Sequence, residues 1–191
     1  HNTLRAAVLG YDRKTPVPEE LAAMCRLLKK CLEQGAAGFS TGLLYVPGCF
    51  SAEAELLALL ETTAHSGRPY ATHLRNEGDR LEEALEEAIR LSRLSGAALQ
   101  VSHLKTALPR NWHKLDSVLE RINRARAAGQ RIHADRYPHT YSQTSLSIVL
   151  ESPFDVMTDR AIRDALQEED TFRKAQEMLS VSGRDWSRVI L

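Results

Sequence analysis

Two pentapeptides constrain this chain more than any other feature: Ala71-Thr72-His73-Leu74-Arg75 and Val101-Ser102-His103-Leu104-Lys105. Each reads small or branched residue, hydroxyl, His, Leu, base, and the two histidines stand 30 residues apart. Asp135 follows His103 by 32 residues, again at the end of a short apolar run. Repeats of that length accommodate a strand, a loop and a helix, and each sets a polar group at the C-terminal end of its strand. That is how the working face of a (β/α) barrel is built.

The punctuation between the repeats supports this. Pro16, Pro18, Glu19 and Glu20 open a helical pattern of Leu21, Met24, Leu27, Leu28, Cys31 and Leu32, which Gly35 is placed to close. A short apolar stretch follows over 36–44, then a helix over 51–65 closing at Gly67 and a strand over 69–74. Asp79 and Glu82 have capping-box spacing ahead of Leu81, Leu85, Ile89 and Leu91, with Gly96 as the stop. A strand over 98–104, a helix over about 114–128 and a strand over 131–135 complete a βαβαβαβ order. Apolar strands joined by such crossovers form a parallel sheet, either doubly wound or barrel. No G-x-G-x-x-G or G-x-x-x-x-G-K-[ST] loop is present, which favours barrel units.

The expected fold is therefore α/β, a partial (β/α) TIM-type barrel, with four or five strands where a closed barrel has eight. Barrel units are expected over 1–150, a helical insertion or lid over 151–185 and the start of a further strand over 186–191. With 191 residues and an opening that lacks both an initiating Met and the apolar core of a signal peptide, the chain reads as part of a longer protein.

Composition narrows the partners. Lys and Arg number 25, as do Asp and Glu, so the net charge is zero and long-range capture of nucleic acid is not expected. No run of about 18 apolar residues is present to span a membrane. Three cysteines, Cys25, Cys31 and Cys49, are too few and odd in number for a disulfide framework, so a reducing cytoplasm is the expected setting.

The histidines carry the sharpest chemistry. Parallel neighbours lie about 4.8 Å apart, so imidazoles at equal heights on adjacent strand ends can converge on one metal ion, and imidazole suits zinc. The same pair would also serve as buried polar side chains bonded to backbone carbonyls, and the matching pentapeptides leave the two readings level. Two histidines make an incomplete site, because catalytic zinc takes three protein ligands. Arg75 and Lys105 follow their histidines by two, so strand alternation turns them to the same side, where a cation could bind a substrate carboxylate. Solvation, or pairing with Glu77 or Asp79, is the other reading, and Lys105 is the stronger functional candidate of the two. Tyr137, His139 and the hydroxyls Thr140, Tyr141, Ser142 and Thr144 could bind a polar substrate after the Asp135 strand. Cys49 reads as an inert thiol more readily than as a ligand, and His65, His113 and His133 read as structural.

The stretches GAAGFSTGLLYVPG (35–48), YATHLRNEGD (70–79), LQVSHLK (99–105), NWHKLD (111–116) and ADRYPHT (134–140) resemble, in order and spacing, the D-aminoacylase (N-acyl-D-amino-acid deacylase) family of the amidohydrolase superfamily. The resemblance implies a metal-dependent (β/α) barrel, a small β domain from the chain's two ends and a late lid insertion. It implies a zinc-dependent hydrolase that cleaves the linear amide of a small N-acyl-D-amino acid to a carboxylate and a D-amino acid. Position by position, His73 and His103 match metal-binding histidines, while Lys105 and Tyr137 match substrate contacts. The stretch 137–144 departs from the family pattern at His139, Tyr141, Ser142 and Gln143.

By the same resemblance, a His-x-His pair and a cysteine ligand fall before residue 1, and the general-base aspartate falls after residue 191. No catalytic residue is therefore expected within this chain. Alone it is expected to be inactive, with an incomplete zinc site and open strand edges that self-association would mask. A cyclic-amide or dipeptide hydrolase of the same superfamily, or a non-catalytic barrel domain, are the alternative readings.

Overall fold

The computed structural model describes residues 1–11, 15–144, 146–150, 153–182, 185 and 187. It divides into two compact units, His1–Tyr137 and Pro138–Leu191.

The first unit is built from α1 (Asn2–Leu9), α2 (Pro18–Glu33), β1 (Phe39–Gly42), α3 (Glu53–His65), β2 (Tyr70–His73), α4 (Leu81–Ser95), β3 (Leu99–Val101), α5 (Leu115–Ala127) and β4 (Ile132–Ala134). The expected start signals act locally. Pro18 opens α2, and Glu20 reaches back to accept a hydrogen bond from the Val17 amide at 3.0 Å. Gly96 ends α4 in the left-handed conformation, at φ 76°, which a residue without Cβ adopts at little cost.

The four strands are all parallel, in the order β1-β2-β3-β4. A doubly wound sheet reverses its strand order at a switch point, whereas here each crossover steps to the next neighbour, as in a barrel wall. Gly38 lets β1 come close to β2, because a Cβ there would lie 2.6 Å from the Pro69 carbonyl oxygen.

Burial alternates along the strands. Phe39, Thr41, Tyr70, Thr72, Leu99, Val101 and Ile132 are buried, and the apolar ones among them share one core with Met24, Leu28, Leu56, Leu59, Leu60, Leu85, Leu91, Val118 and Ile122 of the helices. Burying each such side chain contributes about 1.5–3 kcal/mol. The opposite face carries Ser40, Ala71, Gln100 and His133 in one register row, exposed or half-buried. The strands are thus not buried on both faces as their apolar character suggests. Within the first unit, the described helices α2 to α5 bury their apolar faces against one side of the sheet.

Helix α1 has no signal that sequence reading picks up: no side-chain cap, no acid in its first turn and no base in its last. It is anchored by Arg5, fully buried against Glu55 of α3.

In the second unit Thr158 caps α6 (Asp159–Ala165) by accepting from the Ala161 amide at 3.2 Å, and α7 (Glu169–Val181) follows. Leu150, Phe154, Ile162 and Ala175 form its small core. The strand expected over 186–191 lies outside the described residues apart from Ser187. Among the described residues, no helix is long and apolar enough to cross a membrane.

Candidate metal centre

The C-terminal ends of β2 and β3 bring the two repeat histidines together. His73 is the last residue of β2, and its Nδ1 stands 3.0 Å from Nε2 of His103. Two nitrogens held about 2.0–2.1 Å from one tetrahedral zinc ion would be roughly 3.3 Å apart, so the separation suits a shared cation. His73 packs beneath the Tyr45 ring, with centroids 5.1 Å apart.

His103 lies two residues beyond the end of β3 and takes a left-handed backbone, φ 41°. That conformation is uncommon for a residue with a side chain and is held by its surroundings. Asp135, just past β4, accepts from the His103 amide through Oδ1 at 2.6 Å, and its carbonyl accepts from the Leu104 amide at 2.8 Å. Gln100 Nε2 donates to the other carboxylate oxygen at 2.6 Å. The acid of the third repeat therefore sets the backbone of the second repeat's histidine.

Glu77 completes the cluster from the β2–α4 loop. Its Oε1 lies 3.0 Å from His103 Nδ1 and 2.5 Å from Lys105 Nζ, and its Oε2 lies 3.7 Å from His73 Nε2. His73, Glu77 and His103 can each offer one ligand atom, all within 4.8 Å of one another. His73 Nε2 is buried with no hydrogen-bond partner, its facing carboxylate oxygen, Glu77 Oε2, lying just beyond hydrogen-bond reach. Burial pushes the His73 imidazole down to about 4, against the pull of Glu77 and with help from His103 and Lys105. At neutral pH it carries the lone pair that metal ligation requires. The donor set fits zinc.

The loops carrying these groups are stitched together. Asn76 Oδ1 accepts from the amides of Gly78 and Arg80 at 2.9 and 3.0 Å, and the Ala107 amide donates to the Glu77 carbonyl at 2.7 Å. Arg110 clamps Asp79 at 2.8 and 2.9 Å, and buried Asn111 adds a bond at 3.0 Å. Those bonds, Arg110's first, hold the Asp79 carboxyl down to about 2.

The sequence-derived candidates therefore separate. His73, His103 and Lys105 converge, and Lys105 Nζ also lies 5.7 Å from the centre of the Tyr137 ring. Arg75 does not join them. Strand β2 ends at His73, so alternation does not carry to residue 75, and Arg75 turns to Glu87 and the carbonyls of Cys49 and Ser51. Lys105 is paired with Glu77, one of the two acids expected to compete for it. Its approach owes nothing to strand alternation, since β3 has already ended, and depends on the turn at His103. His139 and the hydroxyl residues after it belong to the second unit, where His139 stacks on Tyr141. Glu77 is the residue that sequence reading undervalued. It follows His73 by four in a loop, with no periodicity to flag it, and entered only as a salt-bridge partner.

No family model matches the chain. Relatives do. Over 146 residues, 76% of this chain, it is 42% identical to N-acyl-D-glutamate deacylase of Alcaligenes xylosoxydans xylosoxydans and 34% identical to the D-aminoacylase of the same organism. Among solved structures it is similar to N-acyl-D-glutamate deacylase from Bordetella bronchiseptica, complexed with zinc and a phosphonate that mimics the tetrahedral intermediate. The TM-score is 0.70 and the identity 41%, over 73% of this chain and 29% of that one. A crystal structure of D-aminoacylase, described as defining a novel subset of amidohydrolases, matches with a TM-score of 0.69 at 34% identity over the same shares. The chain spans about 30% of the length of the curated relatives it matches. Over the matched stretch, about three quarters of its length, the chain is thus similar to deacylases of N-acyl-D-amino acids and to a D-aminoacylase described among the amidohydrolases.

Proposed function

We propose that the intact protein is a zinc-dependent hydrolase that cleaves the amide of N-acyl-D-amino acids to a carboxylate and a D-amino acid. The observation that carries this reading is the facing pair His73 Nδ1 and His103 Nε2, 3.0 Å apart at neighbouring strand ends beside Lys105. When bound, zinc supplies Lewis-acid polarisation of the scissile carbonyl and a nucleophile at neutral pH. In this reading His73 and His103 hold the ion through those two nitrogens.

Lys105 and Tyr137 address the substrate carboxylate. The lysine side chain is only 15% exposed, so its ammonium is poorly shielded by water and binds an anion more strongly than a surface lysine would. The odd count of three cysteines supports a reducing, cytoplasmic setting. The 151–185 segment is read as an inserted lid, supported by its two helices and their own small core.

The test is zinc analysis of the intact protein together with a release assay on N-acyl-D-amino acids, glutamate and aspartate derivatives included, N-acyl-L-amino acids and cyclic amides. Bound zinc with turnover confined to the D series supports the reading. Absence of zinc removes it, and a preference for cyclic amides reassigns the substrate.

A further inference from the structure

The two nitrogens that face each other are only part of each imidazole. At 3.0 Å, His73 Nδ1 and His103 Nε2 share one proton when no cation lies between them, since one must donate and the other accept. A metal ion held by both needs both lone pairs, so the ring protons must then sit on the remote nitrogens, His73 Nε2 and His103 Nδ1. Both remote nitrogens look toward one carboxylate: Glu77 Oε1 is 3.0 Å from His103 Nδ1, and Oε2 is 3.7 Å from His73 Nε2, which is buried and has no other partner.

Lys105 acts in the opposite sense. Its Nζ lies 2.8 Å from the same His103 Nδ1, and an ammonium can only donate, so it favours the tautomer with a lone pair at Nδ1 and the proton at Nε2. That tautomer cannot ligate through Nε2. The same ammonium is bound to Glu77 Oε1 at 2.5 Å.

We propose that Glu77 is the positioning residue of this metal centre: its carboxylate, set against the remote nitrogens of both histidines, favours a proton at those nitrogens, leaves His73 Nδ1 and His103 Nε2 to ligate, and offsets the opposite pull of Lys105 on His103. The assignment rests on the reading of His73 and His103 as zinc ligands and adds a residue to it. A ligating histidine held by a carboxylate through its other nitrogen is a recurrent way of fixing ring orientation, and its loss typically lowers metal affinity roughly 10–100-fold. One carboxylate shared by two ligands concentrates that dependence on a single side chain.

The experiment uses the intact protein and its E77Q and E77D variants, with two readouts: zinc affinity by chelator competition, and imidazole 15N shifts of the metal-free protein. E77Q keeps the shape but accepts less strongly. Its zinc affinity should fall roughly 10–100-fold, and His103 should move further toward the Nε2-protonated form, because the pull of Lys105 on Nδ1 is then less opposed. E77D withdraws the carboxylate by one methylene and should give an intermediate loss. If E77Q does not fold, the same readouts on E77D decide, an intermediate loss supporting the assignment and no loss overturning it. Unchanged zinc affinity with an unchanged His103 tautomer overturns it, as does complete loss of zinc in both variants, which would make Glu77 a direct ligand. If the wild-type protein itself binds no zinc, the functional reading fails first and the assignment falls with it. Zinc binding by wild type with no effect in the variants removes the role of Glu77 alone.

Discussion

The Arg75 guanidinium grips the Glu87 carboxylate side-on, with Nε at 3.2 and 2.9 Å from its two oxygens and Nη2 at 2.9 Å from Oε1. Its remaining donors reach the carbonyls of Cys49 and Ser51 at 2.9 and 3.2 Å. One side chain thus ties the β1–α3 connection to α4, next to the strand end that presents His73. Both partners are largely shielded, so the charge-assisted bonds are worth about 1.5–3 kcal/mol. Arg75→Met should lower the stability of the intact protein by about 2 kcal/mol in urea denaturation. Glu87→Gln should cost less, because Arg75 keeps its two carbonyls. Equal losses in both variants would mean that the carbonyl bonds contribute nothing.

Legibility in the sequence followed the reach of each interaction. Helices α2 to α5 were visible because Pro18, the first-turn acids and the closing glycines act within a turn of their own helix. The strand order followed from the repeat itself. Helix α1 was missed because its anchor, Glu55, lies 50 residues away from Arg5. The convergence of His73 and His103 was foreshadowed by matched pentapeptides. What places His103 was not, since Asp135 acts through a backbone amide and the φ of 41° falls on a residue that does not advertise left-handed backbone. Glu77 was hidden for the same reason, as its partners are brought to it by two loops.

The buried pair at α1 makes a sharp stability prediction. Arg5 and Glu55 side chains are 0% and 1% exposed, and His1 and Ser51 add hydrogen bonds to Glu55 at 2.9 and 3.2 Å. Burial alone would raise the Glu55 carboxyl, but the bonds from His1 and Arg5 outweigh it and hold it below the usual range. Arg5→Leu strands a buried carboxylate and should cost about 3–5 kcal/mol. The double variant Arg5→Leu/Glu55→Leu should recover most of that loss, as a double-mutant cycle by denaturant unfolding would read. Additive losses would show that the two residues are not coupled.

His73 sets a pH dependence of the metal-free protein. Its folded pKa of about 4 lies below the unfolded value of 6.5. Between these values the unfolded chain binds more protons, so stability rises with pH there and is lost as the pH falls from 6.5 toward 4. One proton gives a slope of at most about 1.4 kcal/mol per pH unit. Unfolding free energies of wild type and His73→Asn should therefore converge, or cross in favour of the variant, on acidification from pH 7.5 to 5. A constant difference over that range would mean that His73 is not held neutral by the fold.

Lys105 provides the test that separates binding from metal retention. Its ammonium is held between Glu77 and His103, 5.7 Å from the Tyr137 ring centre, and is shielded from water. If it receives the carboxylate of an N-acyl-D-amino acid, Lys105→Met removes a charge-assisted bond worth about 1.5–3 kcal/mol. That corresponds to a rise in KM of roughly 10–150-fold, with zinc stoichiometry unchanged because lysine ligates nothing. Substrates lacking the carboxylate, such as N-acyl amines, should be turned over equally by variant and wild type, since the missing partner is the one the substitution removes. A variant that loses zinc instead would place Lys105 in support of the histidines rather than the substrate, and a selective loss of kcat would place it against charge that develops only in the transition state.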